Sequence, residues 1–208
     1  MKLKSTILLL LIAITSVCAQ KSTEKIWNAD VINTIVIDGE NVFNITVSNS
    51  LSNTILLKVK IEGEHANQLV MVDSIVNKQL YISSSFQPLF VKDNDKLSAH
   101  KVMSVEYQLL VPKNIKLEIK SNIGSVDLVG TYPSVFIELN QGNCNLKQFL
   151  GNASINTVNG DINIETDHAK VEAFTKTGQI TLTQFKFLKF NLNCHTINGD
   201  IKITKTEK

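Results

Sequence analysis

Asn159-Gly160-Asp161-Ile162-Asn163-Ile164 is the stretch from which the chain is read, because its figure returns. It recurs as Gly124-Ser-Val126-Asp-Leu128, Gly142-Asn-Cys144-Asn-Leu146, Gly178-Gln-Ile180-Thr-Leu182 and Gly199-Asp-Ile201-Lys-Ile203. Taken along the chain, the glycines Gly124, Gly142, Gly160, Gly178 and Gly199 stand 18, 18, 18 and 21 residues apart. A fixed period of this length marks a stack of similar structural units.

Within each unit, apolar residues fall two and four positions after the glycine, the alternation of a half-buried strand. A second alternating run precedes it: Leu117/Ile119, Val135/Ile137, Ala153/Ile155, Val171/Ala173 and Leu192/Cys194. Three positions before the glycine comes Ser121, Leu139, Thr157, Thr175 or Thr196, a mostly hydroxylic place where the first strand ends. The turn between the runs must shift the phase of the alternation, and glycine lets the backbone do so with least strain. We therefore assign the five glycines as structural turn residues.

Two strands and two turns per unit fit either a hairpin array, with type I′ turns at Asn159-Gly160 and Asn198-Gly199, or one coil of a parallel solenoid. Constant spacing and matched residue types favour the solenoid, with Thr157 over Thr175 and Ile162 over Ile180. The expected fold is all-β: a parallel β-solenoid with coils of 18 residues over 113–208. A less regular β-rich region, 20–112, caps it and is continuous with it. That region carries strand-like runs at Ile32–Ile37, Val42–Val47, Ile55–Ile61, Leu69–Val72, Leu80–Ser83 and Val105–Val111. Charged Lys202, Lys205, Glu207 and Lys208 are expected to guard the last strand as an edge. Phe185, Phe187, Leu188 and Phe190 are expected to fill a wider turn where the spacing grows.

The start of the chain reads as an export signal. Lys2 and Lys4 precede an apolar run, Ile7 to Ile14, and then the small-residue end Ser16-Val17-Cys18-Ala19. We expect a signal peptide over 1–19, cut ahead of Gln20. Acylation of Cys18 is the rival reading, disfavoured because Val17 is bulky for a lipobox. The run is short of the roughly 20 residues that span a bilayer, so an integral membrane protein is not expected. Of the remaining cysteines, Cys144 and Cys194 both fall on the inward parity. Three coil intervals of about 4.8 Å would part them by roughly 14 Å, beyond disulfide reach of about 7 Å. Two buried free thiols are expected.

The formal net charge is +2, and every basic residue other than histidine is lysine. Without arginine, the usual bidentate reader of phosphate and base edges, nucleic-acid binding gains no support. His65, His100, His168 and His195 are scattered and lack metal-ligand spacing. Asp161 and Asp200 occupy the same place in two coils, as in calcium-binding rolls, but a glycine-rich nonapeptide is missing and Asp127 does not share their position. No serine lies in a GxSxG context, and the carboxylates are outward and dispersed, unlike a glycosidase pair. No catalytic residue, metal site or cofactor is assigned. The outer positions Asn143, Asn145, Asn156, Asn163, Thr181, Thr183 and Lys202 form polar rows with no aromatic platform expected among them.

Val111-Pro112-Lys113, Ser121-Asn-Ile-Gly124, Thr157-Val-Asn-Gly160-Asp-Ile162 and Thr196-Ile-Asn-Gly199-Asp-Ile201 together resemble the bacterial DUF4097-type "putative adhesin" β-strand-repeat proteins, which are similar to auto-transporter adhesin-like head-domain proteins. The resemblance is clearest from Val105 onward. It implies an exported, right-handed β-helix or β-roll and supplies no catalytic residues. The function expected is a non-enzymatic adhesin or protein-interaction scaffold at the bacterial envelope, with an unknown protein or glycan as partner. A periplasmic envelope or stress-response accessory is the alternative, and a carbohydrate-active β-helix enzyme the third reading. Exposure at the cell surface and residence in the periplasm both remain open.

Overall fold

The computed structural model describes residues 20–63, 65–88 and 103–206. The expected signal peptide, Cys18, His100, Glu207 and Lys208 lie outside these residues. Fifteen strands follow in chain order: β1 (Gln20–Asn28), β2 (Thr34–Asp38), β3 (Asn44–Asn49), β4 (Thr54–Glu62), β5 (Leu69–Val76), β6 (Gln79–Phe86), β7 (Ser104–Val111), β8 (Lys116–Ser121), β9 (Ser125–Gln141), β10 (Cys144–Asn159), β11 (Ile162–Glu165), β12 (Ala169–Thr175), β13 (Ile180–Leu182), β14 (Phe190–Asn198) and β15 (Ile201–Thr204). Helical structure among the described residues is limited to two short 3₁₀ turns, Ala29–Val31 and Ala66–Gln68.

The strands form two walls. One runs β1-β4-β7-β3-β9-β10-β11-β15-β13, and the other β5-β6-β2-β8-β9-β10-β14-β12. β9 and β10 are long enough to serve both, bending from one wall to the other near Gly130 and Gly151. The bend is filled by Tyr132 and Phe149, whose rings stack at 6.3 Å and are buried. The opposite bend is the glycine turn. Between the walls, the alternating side chains stand in rows that cross the coils. One row is Ile35, Leu117, Val135, Ala153, Leu192, Val171. Another is Ile45, Val126, Cys144, Ile162, Ile201, Ile180. Burying an aliphatic side chain of this size contributes about 1.5–3 kcal/mol, so the rows hold the walls together.

The structure differs from the sequence-based expectation in several places. The repeat begins earlier: β2 and β3 pair in parallel with β8 and β9 and form a further coil, so Asp38-Gly39 is a turn inside the stack. The last two coils also exchange places. Thr157 lies beside Thr196 and not Thr175, and Ile162 lies beside Ile201 and not Ile180. The coil β12–β13 sits outermost, although β14–β15 ends the chain. The physical reason is burial and length. Leu192, Cys194, Ile201 and Ile203 are fully buried when sandwiched, whereas the inward places of the outer coil on the same wall as Leu192 and Cys194 hold the smaller Val171 and Ala173. The three extra residues before Gly199 give the chain the reach to step back one level.

Consequently β15, with Lys202, is interior, and the free edges at this end are β12 and β13. The expected filled turn holds only for Phe185, which packs on the core, while Phe187 is 66% and Leu188 65% exposed.

The turn glycines form a column in the spatial order 124, 142, 160, 199, 178. A Cβ at Gly160 would stand 1.9 Å from the Gly142 carbonyl oxygen, and Gly142 itself has φ +127°. The hydroxyls three positions before the glycines bridge successive turns. Ser121 Oγ accepts from Gly124 N and donates to Gly39 O, both at 2.9 Å. Thr175 Oγ1 accepts from Gly178 N at 3.1 Å and donates to Gly199 O at 2.8 Å. Thr196 donates to Gly160 O at 3.1 Å.

The end of the stack nearer the N-terminus is closed by antiparallel strands. β1, β4 and β7 pair antiparallel in one wall, and β5 with β6 in the other. Asn77 and Lys78, both at positive φ, make the tight turn of the β5–β6 hairpin. Asp73 on β5 accepts from Trp27 Nε1 at 3.0 Å and pairs with Lys25, both on β1. The Lys25 ammonium, aided by Trp27, holds its carboxyl below the usual range.

Cys144 and Cys194 are buried and free. Because the coils exchange, two levels and not three part them along the stack, about 10 Å, with the width of the core added. Burial pushes the Cys194 thiol up to about 12 and the Cys144 thiol well above its ordinary value.

Three outcomes follow from this architecture. Gly160→Ala should cost about 3 kcal/mol, because the only relief is moving backbone; urea denaturation of wild type and variant reads this as a lower midpoint. Alkylation at mildly alkaline pH, followed by mass spectrometry, should leave both thiols unmodified in the native protein and modify both in denaturant. The Asp73 carboxyl is lowered on folding, so its stabilisation is complete above its unfolded value near 3.8 and is lost as pH falls below it. Asp73→Asn should therefore flatten the acid limb of a melting-temperature-versus-pH curve.

Candidate functional site

In-register parallel stacking turns one position of the repeat into a row on the surface. The position four before each glycine faces outward on the wall that contains β8, β9, β10, β14 and β12. Its row reads Asp38, Lys120, Glu138, Asn156, His195, Phe174. A groove of about 820 Å³ runs along this row, lined also by Leu139, Thr157, Val158 and Ile197.

One end of the groove is ionic. Lys120 Nζ stands 3.4 Å from Glu138 and 5.9 Å above the centre of the Phe136 ring; Asp38 and Glu40 complete this end. The other end is apolar. Phe174 is 60% exposed and meets the His195 ring edge-on at 6.3 Å, with exposed Val158 and Ile197 beside them. In the middle, the Thr157 hydroxyl is buried and has no hydrogen-bond partner among the described residues. It breaks the column of bridging hydroxyls next to Leu139, which has none to offer. An unpaired buried hydroxyl costs about 1–3 kcal/mol; the Thr157 oxygen faces inward and is closed to solvent, so it offers the groove no hydrogen bond.

The other wall carries an amide row. Asn145 Nδ2 donates to Asp127 at 2.9 Å, and Asn163 Nδ2 donates to Asn145 at 3.1 Å. Asn163, Lys202, Lys147, Lys205 and Glu165 border a smaller hollow of about 320 Å³. Along the turns, the residue after each glycine accepts a backbone N–H from the next coil: Ser125 from Asn143, Asn143 from Asp161, Asp161 from Asp200 and Asp200 from Gln179, at 2.7–3.1 Å. The coil exchange thus makes Asp161 and Asp200 direct neighbours in one column, apart from Asp127, which stands in the amide row. One oxygen of each of these two carboxylates serves the backbone.

Sequence reasoning placed Asn143, Asn145, Asn156, Asn163, Thr181 and Lys202 on the outside, where they are found. It missed the aromatic residues. Phe136 and Phe174 lie on the outer parity, six and four positions before their glycines, and this offset alone was signal enough to find them. His195 is brought beside Phe174 only by the exchange of the last coils. His168 packs edge-on against Phe187 at 5.5 Å, on a different part of the surface. The five turn glycines supply no chemistry to the groove; they set the spacing of its walls.

The class defined by this architecture is an all-β protein built as a two-walled, parallel-stacked solenoid. Residues 113–208 match the model of the Toastrack DUF4097 family, in line with the resemblance carried by the turn motifs. Among solved structures, a "putative cell adhesion protein" from Clostridium sporogenes shares the fold, with TM-score 0.62 at 14% identity over 89% of this chain and 99% of its own. A "putative adhesin" from Bacteroides fragilis is similar at TM-score 0.41 and 13% identity, over 88% of this chain and 97% of its own. No curated protein matches. No helix among the described residues is long and apolar enough to cross a membrane.

Proposed function

We propose that the chain is an exported, non-enzymatic solenoid that serves as an adhesin or protein-interaction scaffold at the bacterial envelope, and that it binds through the groove along Asp38, Lys120, Glu138, Asn156, His195 and Phe174. The observation that carries this reading is the groove itself: an open, concave row with an ionic end and an apolar end. Binding sites are characteristically apolar hollows with a few placed polar groups. Support for export comes from the basic and apolar leader ahead of Gln20, the residue with which β1 opens. The similar fold of the "putative cell adhesion protein" from Clostridium sporogenes points the same way. The partner is a protein or glycan with a cationic group for Asp38 and Glu40 and an apolar group for Phe174. A periplasmic accessory role uses the same groove on the inner side of the outer envelope. The enzyme reading has less support, because Asp38 and Glu138 are separated in their row by Lys120.

Two measurements test this. Protease shaving of intact cells should release peptides such as Val171 to Lys176; protection until the envelope is broken removes the adhesin reading in favour of the periplasmic one. Binding of residues 20–208 to a panel of polysaccharides and matrix proteins should fall about tenfold, or 1.4 kcal/mol, for Phe174→Ala and again for Asp38→Asn. Binding indifferent to both substitutions rules out the groove, and polysaccharide turnover abolished by Glu138→Gln would make the chain an enzyme.

A further inference from the structure

The two ends of the solenoid are finished differently. At the β1/β5 end, the side chains that point between the walls include charges: Lys21 donates to Leu69 O at 3.0 Å, and Lys25 pairs with Asp73. Inward charge on an edge strand is a device that blocks pairing with another chain. At the β12/β13 end the equivalent inward residues are Val171, Ala173, Ile180 and Leu182, all uncharged. Ile180 is 42% and Leu182 46% exposed, although their row partners Ile201 and Ile203 are fully buried. β12 pairs only with β14, and β13 only with β15, among the described residues. Phe187 and Leu188 lie beside the start of β12, where the Phe187 ring meets His168. The result is an unfinished stack: two free strand edges with an apolar core row open between them.

We propose that this end is completed by a second copy of the chain, the two solenoids joining end to end with β12 pairing antiparallel to β12 around a two-fold axis at Val171. The outward charges select both the occupant and the register. Lys170 and Glu172 flank Val171 and stand 3.6 Å apart in one strand. With the axis at Val171, Lys170 of each copy faces Glu172 of the other, so both cross-strand pairs are opposite in charge. An axis at Glu172 sets like charges face to face, and one at Ala173 sets Lys170 against Lys176. A two-fold arrangement of this kind is closed, so it ends at a dimer and does not grow into a fibre. In it, Ile180 and Leu182 of the two copies cover one another, and the binding grooves of both copies stay on the outer wall.

Sedimentation equilibrium of residues 20–208 over a micromolar concentration series tests the proposal. A monomer–dimer equilibrium is expected for the wild type. Lys170→Glu makes both cross-pairs repulsive and should weaken the dimer about tenfold or more. The double variant Lys170→Glu with Glu172→Lys restores both pairs and should restore the dimer. These side chains are solvent-exposed, and unchanged circular dichroism and melting of each monomer will show that the fold is retained. A wild type that stays monomeric throughout overturns the proposal. A dimer indifferent to Lys170→Glu, or a double variant as weak as the single one, overturns it equally.

Discussion

The closest approach in this molecule is backbone to backbone, at the turn where each coil rests on the next. Carbonyl oxygens of one turn occupy the space that a Cβ on the following turn would need, 1.8–2.4 Å from its ideal position at Gly142, Gly160, Gly178 and Gly199. Everything else in the fold depends on that spacing. It sets the walls at the strand separation that parallel hydrogen bonding requires, and it lets the hydroxyls of Ser121, Thr175 and Thr196 bridge from their own turn to its neighbour. Half-buried turn backbone is thereby satisfied by side chains placed at one position of the repeat.

Stacking in register has a second consequence, on the surface. Each outward position becomes a row whose members are about 4.8 Å apart, so their chemistry is read together. Where the members are amides, as at Asn145 and Asn163, they satisfy each other and rigidify the wall. Where they differ, as along Asp38, Lys120, Glu138, Asn156, His195 and Phe174, they grade from ionic to aromatic across the molecule. The groove is therefore a property of the stack, to which each coil contributes one side chain.

A solenoid also has ends, and the ends here carry opposite solutions. Antiparallel β1, β4 and β5 with inward Lys21, Lys25 and Asp73 close one of them. At the other, a coil of modest apolar content is outermost and its core row stays half open. The exchange of the last two coils explains why: placing β14–β15 inside buries Leu192, Cys194, Ile201 and Ile203 completely, at the expense of exposing Ile180 and Leu182.

By itself the sequence determined the strands of the repeats from Lys113 onward, the period of their glycines and the inward parity, and it favoured parallel stacking, because these are written in spacings of 2 and 18 residues along the chain. Parity correctly buried Val126, Leu128, Ile137, Ile155 and Ile162. The same parity puts Phe136 and Phe174 outside, although no aromatic was expected there. Tertiary structure alone decided the order of the coils, and with it the neighbours Thr157–Thr196, Asp161–Asp200 and Phe174–His195. Coils of the same period are interchangeable locally, since each presents the same backbone edge to whichever coil lies next to it. What breaks the tie is how much apolar surface each order buries and how far the connecting segments reach, and both are sums over residues distant in sequence.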